Sequence, residues 1–383
     1  MHKLLALCGP ALVPPFCPRP GCEHHLEPAH PSWYEVDGHY ETRAFGPVPR
    51  FRCKSCGRSF STQTFRLDYY AKKVVDYRVL ERLLASSMSG RALGRQLGIS
   101  PDSVQNRIER LSRQALAVHS ALRPLADPRE AVAVDGFQSF DRSQFFPNNI
   151  TISVAADSRF LLEATHASLR RSGTMTEAQK RRHATLERGV GYEPYALERS
   201  FTEILEQLGR DRAPTRGRPL VLATDLKKEY TRALDRHALG TLDPDLVRRV
   251  MVSSRAARTR ANPLFPVNYW DRELRKDQAA HRRETTCHCR NASNGMARFW
   301  CYAGYHNYRK RYLIRAPADD RRRHADAAGI SRGVRREFEG LWYKARAFFT
   351  RSALSTAGMK AWLKLFPTPG TDWIGRVPAF ALD

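Results

Sequence analysis

The stretch AVAVDGF (131–137) is apolar up to Asp135, and its composition predicts a short buried β-strand. A second apolar stretch, RPLVLATD (218–225), ends in Asp225 and is followed by a helical pattern. A lone aspartate at the end of a strand is ordinarily a turn former. Two such strands in one sheet place two carboxylates where a ligand can reach them. Asp135 and Asp225 are therefore candidate active-site residues.

The sequence around these two strands predicts an α/β unit that spans residues 126–315. Its apolar runs and helical periodicities follow the order strand, strand, strand, helix, strand, helix, strand, helix. The other expected strands are 149–156, 159–166 and 249–254, and the expected helices are 194–209 (closed by Gly209), 227–237 and about 268–283. This order predicts a mixed sheet with helices packed against it.

The last of these helices contains VNYWDRELRKD (267–277) and supplies a third polar position. Asn268, Asp271 and Arg275 are spaced i, i+3 and i+7, so they share one face of the helix. Glu273 and Asp277 form an i, i+4 pair on another face. Phosphoryl transfer with two metal ions needs acidic oxygens that converge on hard cations such as Mg²⁺ or Mn²⁺. Asp135, Asp225 and a residue of this helix are candidates for that site.

The first sixty residues carry two pairs of cysteines, Cys17-x4-Cys22 and Cys53-x2-Cys56. Thiolates at such spacings bind one face of a tetrahedral Zn²⁺, and a second pair completes the site. A unit this small has little core of its own, so the metal would contribute its folding energy. We expect a structural zinc ribbon over residues 1–65.

Residues 76–120 have helical periodicity with the turn GIS at 98–100, which is the pattern of a helix-turn-helix unit. Ser100 is expected to cap the third helix, with Pro101 at its first position. The side chains expected to face DNA are Asp102, Ser103, Gln105, Asn106 and Arg107, while Val104, Ile108 and Leu111 pack inward. A three-helix bundle without DNA contacts has the same periodicity and stays as the alternative.

The composition favours a polyanionic partner. Among 383 residues, 64 are lysine or arginine and 39 are aspartate or glutamate, a net charge of +25. Lysine and arginine displace counterions from phosphates, so double-stranded DNA is the first candidate. The chain has no apolar run of 18 residues and its apolar start is broken by prolines, so we expect a cytoplasmic, nucleoid-associated protein with no membrane contact.

In their order along the chain, these motifs resemble bacterial insertion-sequence transposases of the DDE type, whose catalytic domain is RNase H-like. The resemblance covers residues 15–312. It depends on the following segments: CPRPGC…RFRCKSCGRSFSTQTF, the helix-turn-helix pattern, VAVDGF, LVLATD, NPLFPVNYWDRELRKD…HRRETTCHCRN and YAGYHNYRKRY. It implies a zinc ribbon (1–65), a helix-turn-helix domain (66–125), an RNase H-like catalytic domain (126–315) and a helical or extended tail (316–383).

The resemblance also implies an activity. The protein would bind the terminal inverted repeats of its element, cut the 3′ ends with Mg²⁺ and join them to target DNA. Asp135 and Asp225 match the first and second acidic positions, and a homodimer or higher synaptic complex is expected by analogy. Asp135 and the third residue would hold one metal ion, Asp225 would bridge both, and Arg275 would hold a phosphate.

The third acidic position departs from the usual glutamate, and two residues compete for it. Asn268 lies seven residues before Arg275, where the family carries lysine or arginine. Asp271 lies one helical turn later and offers a carboxylate, which binds Mg²⁺ more strongly than an amide. The departure motivates a second hypothesis, a non-catalytic DNA-binding protein derived from a transposase. A cellular nuclease with an RNase H-like fold is the third.

Overall fold

The computed structural model describes residues 13–282, 287–346, 354–371 and 377. The apolar N-terminal stretch lies mostly outside these residues. The strands are β1 (Tyr34–Thr42), β2 (Gly46–Cys53), β3 (Ser59–Ser61), β4 (Val132–Phe140), β5 (Pro147–Ala155), β6 (Leu161–Ser168), β7 (Leu220–Asp225) and β8 (Val247–Val252). The helices are α1 (Tyr77–Ala85), α2 (Gly90–Leu97), α3 (Pro101–Leu122), α4 (Glu177–Glu187), α5 (Ala196–Asp211), α6 (Lys228–Arg236), α7 (Phe265–Asp277), α8 (Ala292–Tyr308), α9 (His324–Ala327), α10 (Arg332–Leu341) and α11 (Thr356–Trp362).

The N-terminal part is a small antiparallel sheet of order β1-β2-β3, followed by the helices α1 to α3. The expected cap of α3 is confirmed, because the Ser100 hydroxyl accepts a hydrogen bond from the Ser103 amide at 3.2 Å. Gly98 ends α2 with a φ of 62°, a left-handed conformation that glycine adopts readily. The turn between α2 and α3 therefore follows from these residues.

The second sheet is mixed and has the order β6-β5-β4-β7-β8. Its strands β4, β5 and β6 are antiparallel neighbours, whereas β7 runs parallel to β4 and β8 runs parallel to β7. The first strand is longer than expected. It continues past Asp135 to Phe140 because β5 pairs with it along its whole length. Its pairing with β7 stops at Val134 opposite Thr224, so Asp135 still lies where the two parallel strands separate.

Two helices have boundaries that differ from the sequence-based expectation. The helix expected over 268–283 is α7, which begins at Phe265, with Pro266 in its first turn, and ends at Asp277 because Gln278 is extended. The helix expected to end at Gly209 continues to Asp211. Gly209 lies inside α5 and does not end it, and the extended conformation of Gln278 is not revealed by helical periodicity.

The helical part and the mixed sheet share one hydrophobic core, which includes residues from Leu67 to Phe366. Helix α3 packs against α8, and α11 packs against α3 and β6. The buried Arg113 guanidinium joins this tail helix to α3 by donating to the Trp362 carbonyl oxygen at 3.0 and 3.1 Å. The cysteine-bearing part has a second, smaller core, to which Leu341 and Ala345 of the tail contribute.

Among these described residues, none of the helices combines the length and the apolar character that crossing a bilayer requires.

Candidate functional site

Two carboxylates and one ammonium group meet where β4 and β7 separate. The Lys227 Nζ atom lies 2.7 Å from Asp135 Oδ1 and 3.0 Å from Asp225 Oδ2. The side chains of Asp135 and Lys227 are each 27% exposed and that of Asp225 is 12% exposed, so the cluster is open to solvent on one side. The two aspartates expected to converge do converge, and a cationic group lies between them.

The backbone fixes both carboxylates. Asp225 Oδ1 accepts a hydrogen bond from the Lys227 amide at 3.0 Å, and Asp135 Oδ1 accepts one from the Gly136 amide at 2.7 Å. A side chain at Gly136 would clash with Asn149, because a Cβ atom there would lie 2.0 Å from Asn149 Oδ1. A side chain at position 136 would therefore displace the buried Asn149 amide group of β5.

Lys227 was not among the residues singled out in the sequence. It precedes the first residue of α6, two positions after Asp225. Burial disfavours its charge, but the acidic groups around it, Tyr230, Asp135 and Asp225, more than compensate and raise the pKa of Lys227 above its ordinary value. The DLKK pattern after a buried strand was the available signal, since a lysine that follows a strand-end aspartate can turn back to it.

Asp271 on α7 is the third carboxylate of this region. Its Oδ1 atom is buried, and no residue that the structure describes donates a hydrogen bond to it. Burial, followed by the negative charge of Asp135, raises the pKa of Asp271 to about 7, while the cations Arg275, Arg258 and Lys227 act in the opposite direction. A buried carboxylate oxygen without a hydrogen-bond donor is costly unless a cation or a proton satisfies it.

The other two candidates on α7 lie on the face of Asp271. Asn268 is half-buried one turn before it. The Arg275 guanidinium donates to the carbonyl oxygens of His281 at 3.2 Å and Gln138 at 3.4 Å, and it lies 4.8 Å from the centre of the Phe137 ring. Arg275 therefore holds α7 against β4 at the residues that follow Asp135.

Glu273 and Asp277 point away from this cluster, as their spacing predicted. Glu273 accepts hydrogen bonds from Lys276 and Lys310, and Asp277 accepts one from Lys310 at 3.2 Å. Both carboxylates are satisfied by local cations, so neither serves the site at Asp135.

The four cysteines of the N-terminal part come together, as expected. Their sulfur atoms all lie within 4.8 Å of one another, with 3.6 Å between Cys17 and Cys56 and 3.8 Å between Cys22 and Cys53. A tetrahedral Zn²⁺ with Zn–S bonds of about 2.3 Å separates its sulfur ligands by about 3.8 Å. These thiols can hold a structural metal such as zinc.

Aromatic side chains enclose the cysteine cluster. Trp33 stacks on Phe60 with 5.5 Å between ring centres, and Phe65 meets Phe60 edge to face. Cys17 and Cys53 are fully buried against this core, and burial raises the pKa of the Cys17 thiol above its ordinary value. A thiolate in this position requires a cation beside it.

The residues expected to face DNA divide into two groups. Asp102 and Asn106 are exposed on α3, and Ser103 and Gln105 are half-buried. The prediction for Arg107 is wrong: its side chain is buried and donates to the Lys73 carbonyl oxygen at 3.3 Å. The chain segment before α1 folds over this position, which the helical periodicity alone does not reveal. Val104, Ile108 and Leu111 are buried as predicted.

Comparisons of this chain with protein-family models, curated proteins and solved structures give no match.

Proposed function

We propose that this chain is a DDE-type transposase that binds the ends of a DNA element, cuts DNA strands with divalent metal ions and joins them to target DNA. The observation that carries the proposal is the convergence of Asp135 and Asp225 around one ammonium group, with Asp271 electrostatically coupled to Asp135. A cluster of carboxylates that already binds a cation is suited to divalent metal ions.

The topology of the mixed sheet supports an RNase H-like catalytic domain. With its strands numbered in chain order, the sheet has the order 3-2-1-4-5, with the first three antiparallel and the last two parallel to the first. Asp135 and Asp225 lie on the adjacent first and fourth strands. The cysteine cluster and the turn between α2 and α3 support the zinc ribbon and the helix-turn-helix unit in the same way.

The donor set fits Mg²⁺ or Mn²⁺, because it consists of carboxylate oxygens and includes the unsatisfied Asp271 Oδ1. Asp135, Asp225 and Asp271 would hold the ions. Bound metal ions would activate a water molecule or a 3′ hydroxyl group and stabilise the leaving oxygen. Lys227 neutralises Asp135 and Asp225 without metal, and it must leave them for metal to bind. The released ammonium group would then be able to pair with a phosphate oxygen of the DNA.

Between the two residues that compete for the third position, the geometry favours Asp271. The negative charge of Asp135 raises the pKa of Asp271, and the buried oxygen of Asp271 lacks a donor among the described residues. Asn268 offers a neutral oxygen one turn earlier on the same face. Arg275, which was expected to hold a phosphate, instead contacts the backbone of β4, so we assign it a positioning role.

Positive charge lies next to these carboxylates and suits a DNA backbone. The segment between β8 and α7 exposes Arg255, Arg258 and Arg260. Arg258 is close enough to Asp271 to lower its pKa. A duplex that follows these arginines would bring a phosphate to the carboxylates.

One observation favours a second function, a DNA-binding protein without catalytic activity. The ammonium group of Lys227 satisfies both aspartates, which is also the arrangement expected of a chain that has lost its metal ions. In this case the helix-turn-helix unit would bind DNA and no strand would be cut.

The DNA that flanks the gene provides the test. Its inverted repeats, prepared as labelled duplexes, are incubated with Mg²⁺ or Mn²⁺ and with the wild type, Asp135→Asn or Asp225→Asn. We expect the wild type to cleave the repeats. The cleavage rate of each variant should be lower by a factor of about one hundred or more, with DNA binding unchanged. Asp157→Asn is the control, because this exposed aspartate lies in a turn of the same unit.

The outcomes separate the two functions. Cleavage at the wild-type rate by either variant contradicts the assignment of the active site. A wild-type protein that binds the repeats and does not cut them supports the second function.

A further inference from the structure

The first two turns of α3 form a ridge between two basic grooves. One groove, of about 450 Å³, lies between α3 and the segment 70–73, and Lys72 and Lys73 line it. The other, of about 550 Å³, lies between α3 and the segment 287–298. Arg91, Arg290 and Arg298 line this second groove. A helix in the major groove of DNA has a sugar–phosphate backbone on each side, and the two grooves offer cations to both.

Asn106 lies on this ridge, and its amide group has a fixed orientation. Its Oδ1 atom accepts hydrogen bonds from Arg107 Nη1 and Arg110 Nε, both at 2.9 Å. A guanidinium group only donates hydrogen bonds, so the amide atom that faces the two arginines must be the oxygen. The NH₂ group of Asn106 consequently faces away from them, towards solvent.

The two arginines cannot easily turn away. Both are buried, and they donate to backbone carbonyl oxygens of the segment before α1: Arg107 to Lys73 at 3.3 Å, and Arg110 to Leu67 at 3.2 Å and Tyr69 at 2.7 Å. The Arg110 guanidinium also lies 4.0 Å from the centre of the Tyr69 ring. Rotation of the Asn106 amide would turn its NH₂ group towards two cationic donors and leave them without an acceptor.

The fixed orientation of the Asn106 amide group restricts which base it can recognise. An asparagine that binds adenine donates to N7 and accepts from the N6 amino group, which requires a free Oδ1. Both lone pairs of the Asn106 oxygen are already used by the arginines. Guanine presents two adjacent acceptors, N7 and O6, in the major groove and suits an NH₂ group that only donates. Cytosine presents an amino donor at this edge and does not.

We propose that Asn106 selects a guanine in the DNA site of this protein. The proposal rests on the DNA binding that is part of the proposed function, and it does not require strand cleavage. The arginines act as positioning residues, because they fix which atoms of Asn106 reach the base.

The test is selection of bound duplexes from a randomised DNA library with the full-length protein and with Asn106→Asp. The carboxylate of the variant still accepts from both arginines, but it has no donor for the base. We expect one G·C pair of the selected sequence to lose its preference, by about tenfold in affinity, with the rest unchanged. Gln96→Glu, on the exposed side of α2, carries the same change of charge and should lower affinity without changing any base preference.

The proposal is overturned if Asn106→Asp loses its preference at an A·T pair instead. It is also overturned if the variant keeps every base preference of the wild type. Selection of no common sequence by the wild type also overturns it. A second measurement uses the wild type alone, so that it does not depend on the variant's folding: 7-deazaguanine at the G·C pair lacks N7 and should weaken binding. Equal affinity for guanine and 7-deazaguanine there overturns the proposal. If the wild type selects a DNA sequence and does not cut it, the proposed enzymatic activity is rejected and the inference about Asn106 stands.

Discussion

The cysteine cluster and the carboxylate cluster are both suited to cations, but they are built differently. The four cysteines belong to one small unit of about forty residues, and their sulfur atoms are already at the separations of a tetrahedral site. Asp135, Asp225 and Asp271 come from two strands and a helix that are far apart in the chain. Asp135 and Asp225 are partly exposed and already share a cation from the protein, whereas Asp271 Oδ1 is buried.

Under the proposed function, this difference separates a structural site from a reactive one. A closed set of four identical soft ligands leaves no position for a substrate and suits Zn²⁺. An open set of hard oxygens, one of them unsatisfied, leaves room for exchangeable ions and for DNA. Loss of the first site should affect folding, and loss of the second should affect chemistry.

The largest effect is expected for the cysteine cluster. Structural zinc contributes about 10–16 kcal/mol of apparent binding free energy in small domains, more than the small core around Trp33 and Phe60 can replace. We expect Cys53→Ser to lose zinc and to expose the amides of β1 to β3 to hydrogen exchange. Zinc content and exchange protection, measured on the same sample, give the result.

Cys287→Ser is the control, because Cys287 is exposed and lies outside the cluster. It should keep its zinc and its exchange protection. A Cys53→Ser protein with full zinc content and a protected N-terminal sheet would show that the four thiols do not form the metal site.

The next largest effect is expected for Asp271. Its substitution should stabilise the protein, unlike that of Cys53, because this carboxylate destabilises the protein when it is ionised. Its folded-state pKa of about 7 lies above the ordinary value of 3.8, so its contribution to stability is lost as the pH rises from about 4 through 7. In buffer without Mg²⁺ we expect Asp271→Asn to unfold at higher denaturant concentration than the wild type above pH 7. The difference should approach about 4 kcal/mol there and vanish near pH 4.

Addition of Mn²⁺ should reduce this difference, since the ion stabilises the wild type and not the variant. Asn268→Ala, one turn away on the same face, should show no such dependence on pH. A constant difference between Asp271→Asn and wild type from pH 4 to 8 would contradict the raised pKa of Asp271.

Much of this contrast could be predicted from the sequence, because local spacing encodes it. The cysteine spacing predicted the cluster, and the apolar runs at 131–137 and 218–225 predicted two adjacent strands that carry Asp135 and Asp225. Helical spacing placed Asp271 and Arg275 on one face and Glu273 on another. These properties depend on periods of two and 3.6 residues and on ligand geometry, which one chain displays directly.

The contacts of long cationic side chains could not be predicted in this way. Lys227, Arg107 and Arg110 end several bonds from their backbone, so their partners are decided by whichever segments fold next to them. Arg107 is at the edge of the buried face of α3 and becomes buried because the segment around Lys73 covers it. The end of β4 also depended on a partner, since β5 extends the strand beyond Asp135.

The smallest expected effect concerns Lys227 and metal binding. It tests the difference between the two clusters most directly, because Lys227 distinguishes them. A divalent ion at Asp135 and Asp225 must displace its ammonium group, and this competition weakens metal binding. Lys227→Gln keeps a hydrogen-bond donor and removes the charge, so we expect Mn²⁺ to bind about tenfold more tightly, equivalent to about 1.4 kcal/mol.

Lys228→Gln, which alters an exposed neighbour by the same charge, should leave the affinity near that of the wild type. Calorimetric titration of the zinc-loaded protein with Mn²⁺ measures both. Weaker or unchanged binding in Lys227→Gln would mean that the lysine does not compete with the ion, and that the carboxylate cluster, like the cysteine cluster, is already arranged for its metal.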